Sequence, residues 1–309
     1  MHKKISLLFI LFNCLLLAQA DNIVYETDSV LINNAVQFQN NASPDIAEIT
    51  LPKWYEPVTN VPLNMYRVVG NSFTTNNLPV LGYISALTTV LVLTDAQTHS
   101  SIQSVFRNNS SLKNYPRYTV YLGDGKINLG IAGLFSLYGL TFSDDRALRT
   151  GMQCFGAIIG NGIFVQLLKR ITGRESPLTA SSKSGTWRFF PNIIKYQKDQ
   201  PKYYSFPSGH LSTAIATITV IADNYPESSY IKPVGYSMAG LLALGLVSKD
   251  MHWLSDFPLA VAIGYEFGKI ITSQNNVTGE GKESSGNLNL SIMPIFLSRG
   301  GGIDMLISF

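Results

Sequence analysis

Six apolar stretches constrain this 309-residue chain more than any other feature. They cover residues 78–94, 127–142, 151–168, 211–222, 234–247 and 257–272. Each is too long for an ordinary strand and rich in Ala, Leu and Ile, which predicts helices. Glycines recur within them, as at Gly156, Gly160 and Gly162, and point to close helix packing. The expected fold class is all-α, with a six-helix core inside a helical domain at residues 77–273. A run of about 17 residues makes ~26 Å of helix, short of a ~30 Å hydrocarbon core. Glu266 and Lys269 also lie inside the last stretch, where a lipid-facing charge is costly. Length alone does not settle the matter, but both points lean toward a soluble or peripheral helical domain with a peripheral membrane contact.

The rest of the chain reads differently. His2, Lys3 and Lys4 precede an apolar run from Ile5 to Leu17, and Ala18-Gln19-Ala20 follows as a small-residue cleavage site. Residues 1–20 thus read as a signal peptide. Its removal takes Cys14 with it and leaves Cys154 alone, so no intrachain disulfide can form. Export without disulfides fits a bacterial envelope, either periplasmic or membrane-associated. In residues 21–76, Asn, Pro and Thr interrupt short β-like runs. This segment is expected to be an extended arm, with a disordered leader up to Ser43 as the alternative. Residues 274–309 read as a linker and then a C-terminal β-hairpin, because apolar residues alternate on both sides of Arg299-Gly300-Gly301-Gly302. The net charge of +3, with no Lys/Arg cluster standing out, argues against a nucleic-acid partner.

Three short segments carry chemistry. Pro207-Ser208-Gly209-His210 opens the fourth apolar stretch. Ser208 is a good N-cap, and the free N–H groups after it favour an anion such as phosphate. Gly209 permits close backbone approach, and His210 puts a proton donor beside that anion. The plainer reading is a routine helix cap. His252 and Asp256 are four residues apart, so on a helix they share a face. A carboxylate beside an imidazole fixes its tautomer and leaves the other ring nitrogen free to attack. The plainer reading is an acid placed for the helix dipole. Lys169 ends the third stretch and precedes Arg170, Gly173, Arg174, Ser176 and Pro177. Basic residues there offset the helix's negative pole, or they form a cationic cradle for phosphate.

In order, Lys169-x6-Ser176-Pro177, Pro207-Ser208-Gly209-His210 and His252-x3-Asp256 resemble the three motifs of the type-2 phosphatidic acid phosphatase and vanadium haloperoxidase superfamily. The resemblance spans residues 78–272. It implies hydrolysis of a phosphate ester through a phosphohistidine intermediate, with no metal and no cofactor. His252 would be the nucleophile, Asp256 its orienter and His210 the proton donor. Lys169, Ser208 and Gly209 would bind the phosphate. The family places an Arg where this chain has Ser176, and another where it has Leu246. Arg174, the nearest guanidinium in sequence, is expected to take over part of that substrate-binding role. The implied substrate is a phosphorylated lipid or a small phosphate ester. The alternative is a catalytically weak phosphate-binding or scaffold protein of the same fold.

Overall fold

The computed structural model describes residues 51–112, 114–274, 289–297 and 300–308, the last two by backbone only. The expected signal peptide, the expected arm up to residue 50 and the expected linker at 275–288 lie outside the described residues.

Each apolar stretch lies within one helix. After one helical turn at Glu56–Thr59 come α1 at Val61–Ser72, α2 at Leu78–Arg107, α3 at Gly125–Phe142 and α4 at Asp145–Thr172. The six-residue α5, Ile193–Lys198, interrupts a long loop. Then come α6 at Gly209–Asn224, α7 at Ile231–Ser248 and α8 at Phe257–Ser273. Two strands, β1 at Asn289–Leu297 and β2 at Gly300–Ser308, pair antiparallel with Leu297 opposite Gly300.

Helix α6 lies at the centre, packed against α4, α7 and α8. Its sequence suits that position. Ser212, Thr213, Ala214, Ala216, Thr217, Thr219 and Ala222 are all buried and mostly small, so neighbouring backbones can come close. Its hydroxyls bond internally: Thr217 Oγ1 donates to Thr213 O at 3.0 Å and Thr219 Oγ1 to Ile215 O at 2.8 Å. Ser212 Oγ donates to Asn161 Oδ1 on α4 at 2.5 Å. On the facing helix, a Cβ added at Gly268 would sit 2.6 Å from Thr219 Cβ, so only glycine permits this spacing.

Two expectations need correction. First, the arm reading fails for its described part. Glu56–Thr59 and Val61–Ser72 are helical, and α1 packs on α4 and α8. Pro57 and Pro62, taken as breakers, sit in first turns, where a missing N–H costs nothing. Second, the length argument against spanning fails. Polar residues at the ends of the apolar stretches continue the helices, so α2 has 30 residues and α4 has 28. These and α7 are long and apolar enough to cross a membrane. Only 6% of the apolar window of α2 is buried, and Leu93 on it is 79% exposed. That surface suits membrane association.

Candidate active site

The segments that frame the site are each fixed by a local device. Helix α4 ends at Gly173, whose φ is +52° and whose N–H bonds to Lys169 O at 2.9 Å. A Cβ there would collide with the carbonyl oxygen of Arg188, so glycine is required. The chain can then run flat, with Arg188 N donating to Gly173 O at 3.0 Å and Ser205 N to Arg174 O at 3.0 Å. Ser208 caps α6, accepting from Leu211 N at 3.4 Å, and its own N–H donates to Asp256 O at 3.1 Å. That bond ties the start of α6 to the segment that carries His252.

Lys169, Ser208, Gly209, His210, His252 and Asp256 come together here. A Cβ on Gly209 would lie 3.5 Å from Lys169 Nζ, an ordinary contact. The protein itself therefore does not demand glycine at 209. Lys169 Nζ also lies 5.1 Å from the centre of the Tyr204 ring. The His210 and His252 rings are 6.4 Å apart, centre to centre. Burial, helped by the His252 and Lys169 charges, pushes the His210 pKa down to about 4.

His252 is wholly buried. Its Nδ1 lies 3.3 Å from Asp256 Oδ2, while its Nε2 has no hydrogen-bond partner. The contact is not made along a helix face, as the spacing had implied. Residues Leu254–Asp256 form a 3-10 turn, and α8 starts only at Phe257. Asp256 Oδ2 also accepts from Trp253 N at 2.8 Å and Ser205 Oγ at 2.5 Å. Burial pulls the Asp256 carboxyl up, but the Arg174 charge and the His252 and Ser205 hydrogen bonds outweigh it and hold its pKa below the ordinary value. Burial pushes the His252 pKa down despite its bond to Asp256, so the ring is neutral near pH 7. A neutral imidazole held at Nδ1 with a bare Nε2 is equipped to attack an electrophile.

Arg174 is the correction. It is fully buried, and all four of its terminal N–H groups are used. Nη1 donates to Asp256 Oδ1 at 2.5 Å and to Ser255 Oγ at 2.7 Å. Nη2 donates to Asp95 Oδ2 at 2.6 Å and to Ser184 O at 2.8 Å. A guanidinium with two carboxylates has no donor left on its terminal nitrogens for a substrate phosphate. Arg174 holds Asp256 instead. Asp95 on α2 was missed in the sequence, as were Ser205 and Ser255. The available signal was a carboxylate at the end of an apolar stretch, where burial demands a partner.

The two positions where an Arg was expected are both closed. Ser176 is buried with its Oγ unpartnered, and Leu246 lies in an aliphatic cluster with Leu211, Leu242 and Val247. Lys249 is exposed, and Arg188 is ion-paired with Glu175 Oε1 at 2.6 Å. Among the described residues, no group of three or more His, Cys, Asp or Glu is placed to hold a metal ion.

Residues 150–279 match the family model described as the PAP2 superfamily. No curated protein sequence matches the chain. Among solved structures, the chain is similar to the crystal structure of a transmembrane PAP2-type phosphatidylglycerolphosphate phosphatase from Bacillus subtilis. The identity is 15% and the TM-score 0.38, over 73% of this chain and 98% of that one.

Proposed function

We propose, from the match of residues 150–279 to the PAP2 superfamily model, that the chain is a phosphatase acting on a membrane-borne phosphate ester through a phosphohistidine. The observation that carries this reading is the wholly buried, unpartnered Nε2 of His252, opposite an Nδ1 held by Asp256. The Nε2 lone pair would attack phosphorus as the ester P–O bond breaks. The departing oxygen takes its proton from His210. Water then attacks the phosphohistidine, gives a proton to the now neutral His210 and releases phosphate. Lys169 and the α6 N-terminus stabilise the charge that builds on the phosphoryl oxygens. The long apolar helices favour a lipid phosphate over a soluble one, and the basic, apolar, Ala-terminated leader favours export.

A second reading has its own support. With Leu246 in an aliphatic core and Arg174 committed to two carboxylates, neither position supplies the cradle with a guanidinium beside Lys169. A phosphate-binding protein without turnover would look like this. Purified chain in micelles, assayed with aryl phosphate and phosphatidic acid side by side, decides between the two. We expect release of phosphate from both and only weak inhibition by orthovanadate, which lacks its guanidinium partners. Phosphate binding without turnover of either ester would leave only the second reading.

The pH dependence follows from His210. As a general acid it must carry a proton, and its pKa in the empty site is about 4. The protonated form is lost as pH rises, so kcat/KM on alkyl phosphates should be highest in acid and fall toward neutral pH. Aryl phosphates, whose leaving oxygen needs little protonation, should show a shallower fall. Stability runs the other way. A histidine buried neutral leaves the unfolded chain binding more protons between its ordinary 6.5 and about 4, so the fold weakens as pH drops through that window. Parallel pH series of turnover and unfolding midpoint check both signs. An alkyl-phosphate profile that rises toward pH 8 would remove His210 from the acid role.

A further inference from the structure

The loop that follows Lys169 carries a feature the catalytic reading does not use. Leu178, Phe189, Phe190, Ile193 and Ile194 are each between 65% and 74% exposed. Phe190 has φ +52°, an unusual backbone for a bulky residue, so the fold holds that ring outward at a cost in strain. Phe190 N donates to Ile171 O at 3.0 Å, which sets the tip beside the end of α4. Ile163, Leu167 and Ile171, all exposed, extend the apolar surface along that helix at four-residue spacing. On its inner side the loop is tied to the site. Trp187 stacks with Phe189 at 6.2 Å and packs on Phe206 at 5.1 Å, just before the Ser208 cap.

Charge is concentrated in the same loop. Between Lys169 and Ser205 there are eight Lys and Arg against only Glu175 and Asp199, more positive than the whole chain at +3. The sequence reading does not single this out, because an even average hides it. Four of these cations are engaged: Lys169 in the cradle, Arg174 on Asp95 and Asp256, Arg188 on Glu175 and Lys202 on Asp199. Lys183, Lys195 and Lys198 are exposed, the last two on the same short helix as Ile193 and Ile194, and Arg170 lies over the Tyr196 ring. Both acids of the loop are already paired.

We propose that this tip is a docking surface for an anionic lipid bilayer. Phe189, Phe190, Ile193 and Ile194 enter the interfacial layer, and Lys183, Lys195 and Lys198 meet lipid phosphates. Apolar residues ringed by lysines bind such a surface by burial plus attraction to negative headgroups. The consequence for turnover rests on the proposed phosphatase reading: docking sets the Ser208–His252 site at headgroup level.

The test uses the full chain with Cys14→Ser and Ile194→Cys, labelled with an environment-sensitive fluorophore; Cys154 is buried and stays unlabelled. The protein is placed in phosphatidylcholine bilayers with or without about one-third phosphatidylglycerol. In the anionic bilayer we expect a blue shift, quenching by spin-labelled lipid and loss of iodide access. High salt or Lys195→Glu with Lys198→Glu should reverse these signals. Each lysine contributes enough that the pair should raise the apparent KM for phosphatidic acid at least about tenfold. Aryl phosphate turnover should not change. A label open to iodide in both bilayers, or equally buried in both and indifferent to the charge reversals, overturns the proposal. Absence of turnover on every substrate would remove the phosphatase reading, while the fluorescence result would still decide docking.

Discussion

His252→Ala should reduce hydrolysis at least about 10⁴-fold while the protein stays folded, because it removes the attacking atom. Stability should change far less than activity, and the reason lies in what remains. Without His252, Asp256 Oδ2 still accepts from Ser205 Oγ and Trp253 N, and Oδ1 still accepts from Arg174. No buried charge is orphaned. The direct signature is an acid-labile, base-stable phosphoenzyme trapped from the wild-type chain on rapid quenching and absent from the variant. Near-wild-type turnover of aryl phosphate by His252→Ala would end the nucleophile assignment.

Arg174→Met should have the largest effect on stability, at about 3–5 kcal/mol, the usual consequence of removing one partner from a buried ion pair. Two carboxylates, Asp95 and Asp256, would then share a closed space without a countercharge. Turnover should fall as well, since Asp256 would no longer be held beside His252. Arg174→Lys should recover only part of the loss, because an ammonium cannot span both acids as the planar guanidinium does. Asp95→Asn should weaken the protein less, and a double-mutant cycle of Asp95 with Arg174 should give clear coupling. Denaturation midpoints together with separate kcat and KM values make the check. A raised KM with unchanged stability would mean that Arg174 binds phosphate after all.

Asp95 and Arg174 also show where reading a sequence stops. They are 79 residues apart, on α2 and after α4, and nothing local to either announces the other. By sequence proximity alone, two residues from Ser176, Arg174 is expected at the phosphate. Its actual partners were decided by burial, since a guanidinium enclosed by the fold must find carboxylates there rather than a transient ligand.

What the sequence determined by itself was whatever depends on neighbours in the chain. Apolar runs of helix length became helices, because helical hydrogen bonds close within four residues. Pro207 to His210 became a helix start capped by Ser208, and the four-residue spacing put Asp256 within reach of His252. Tertiary structure decided the rest. It drew Pro57 and Pro62 into helical first turns packed on α4 and α8, where an isolated segment would have stayed extended. It also closed Leu246 into the core, bound Arg174 to two acids and left Phe189, Phe190, Ile193 and Ile194 exposed on one loop. Such outcomes depend on desolvation and on pairing between distant segments, and those energies exist only once the chain has folded.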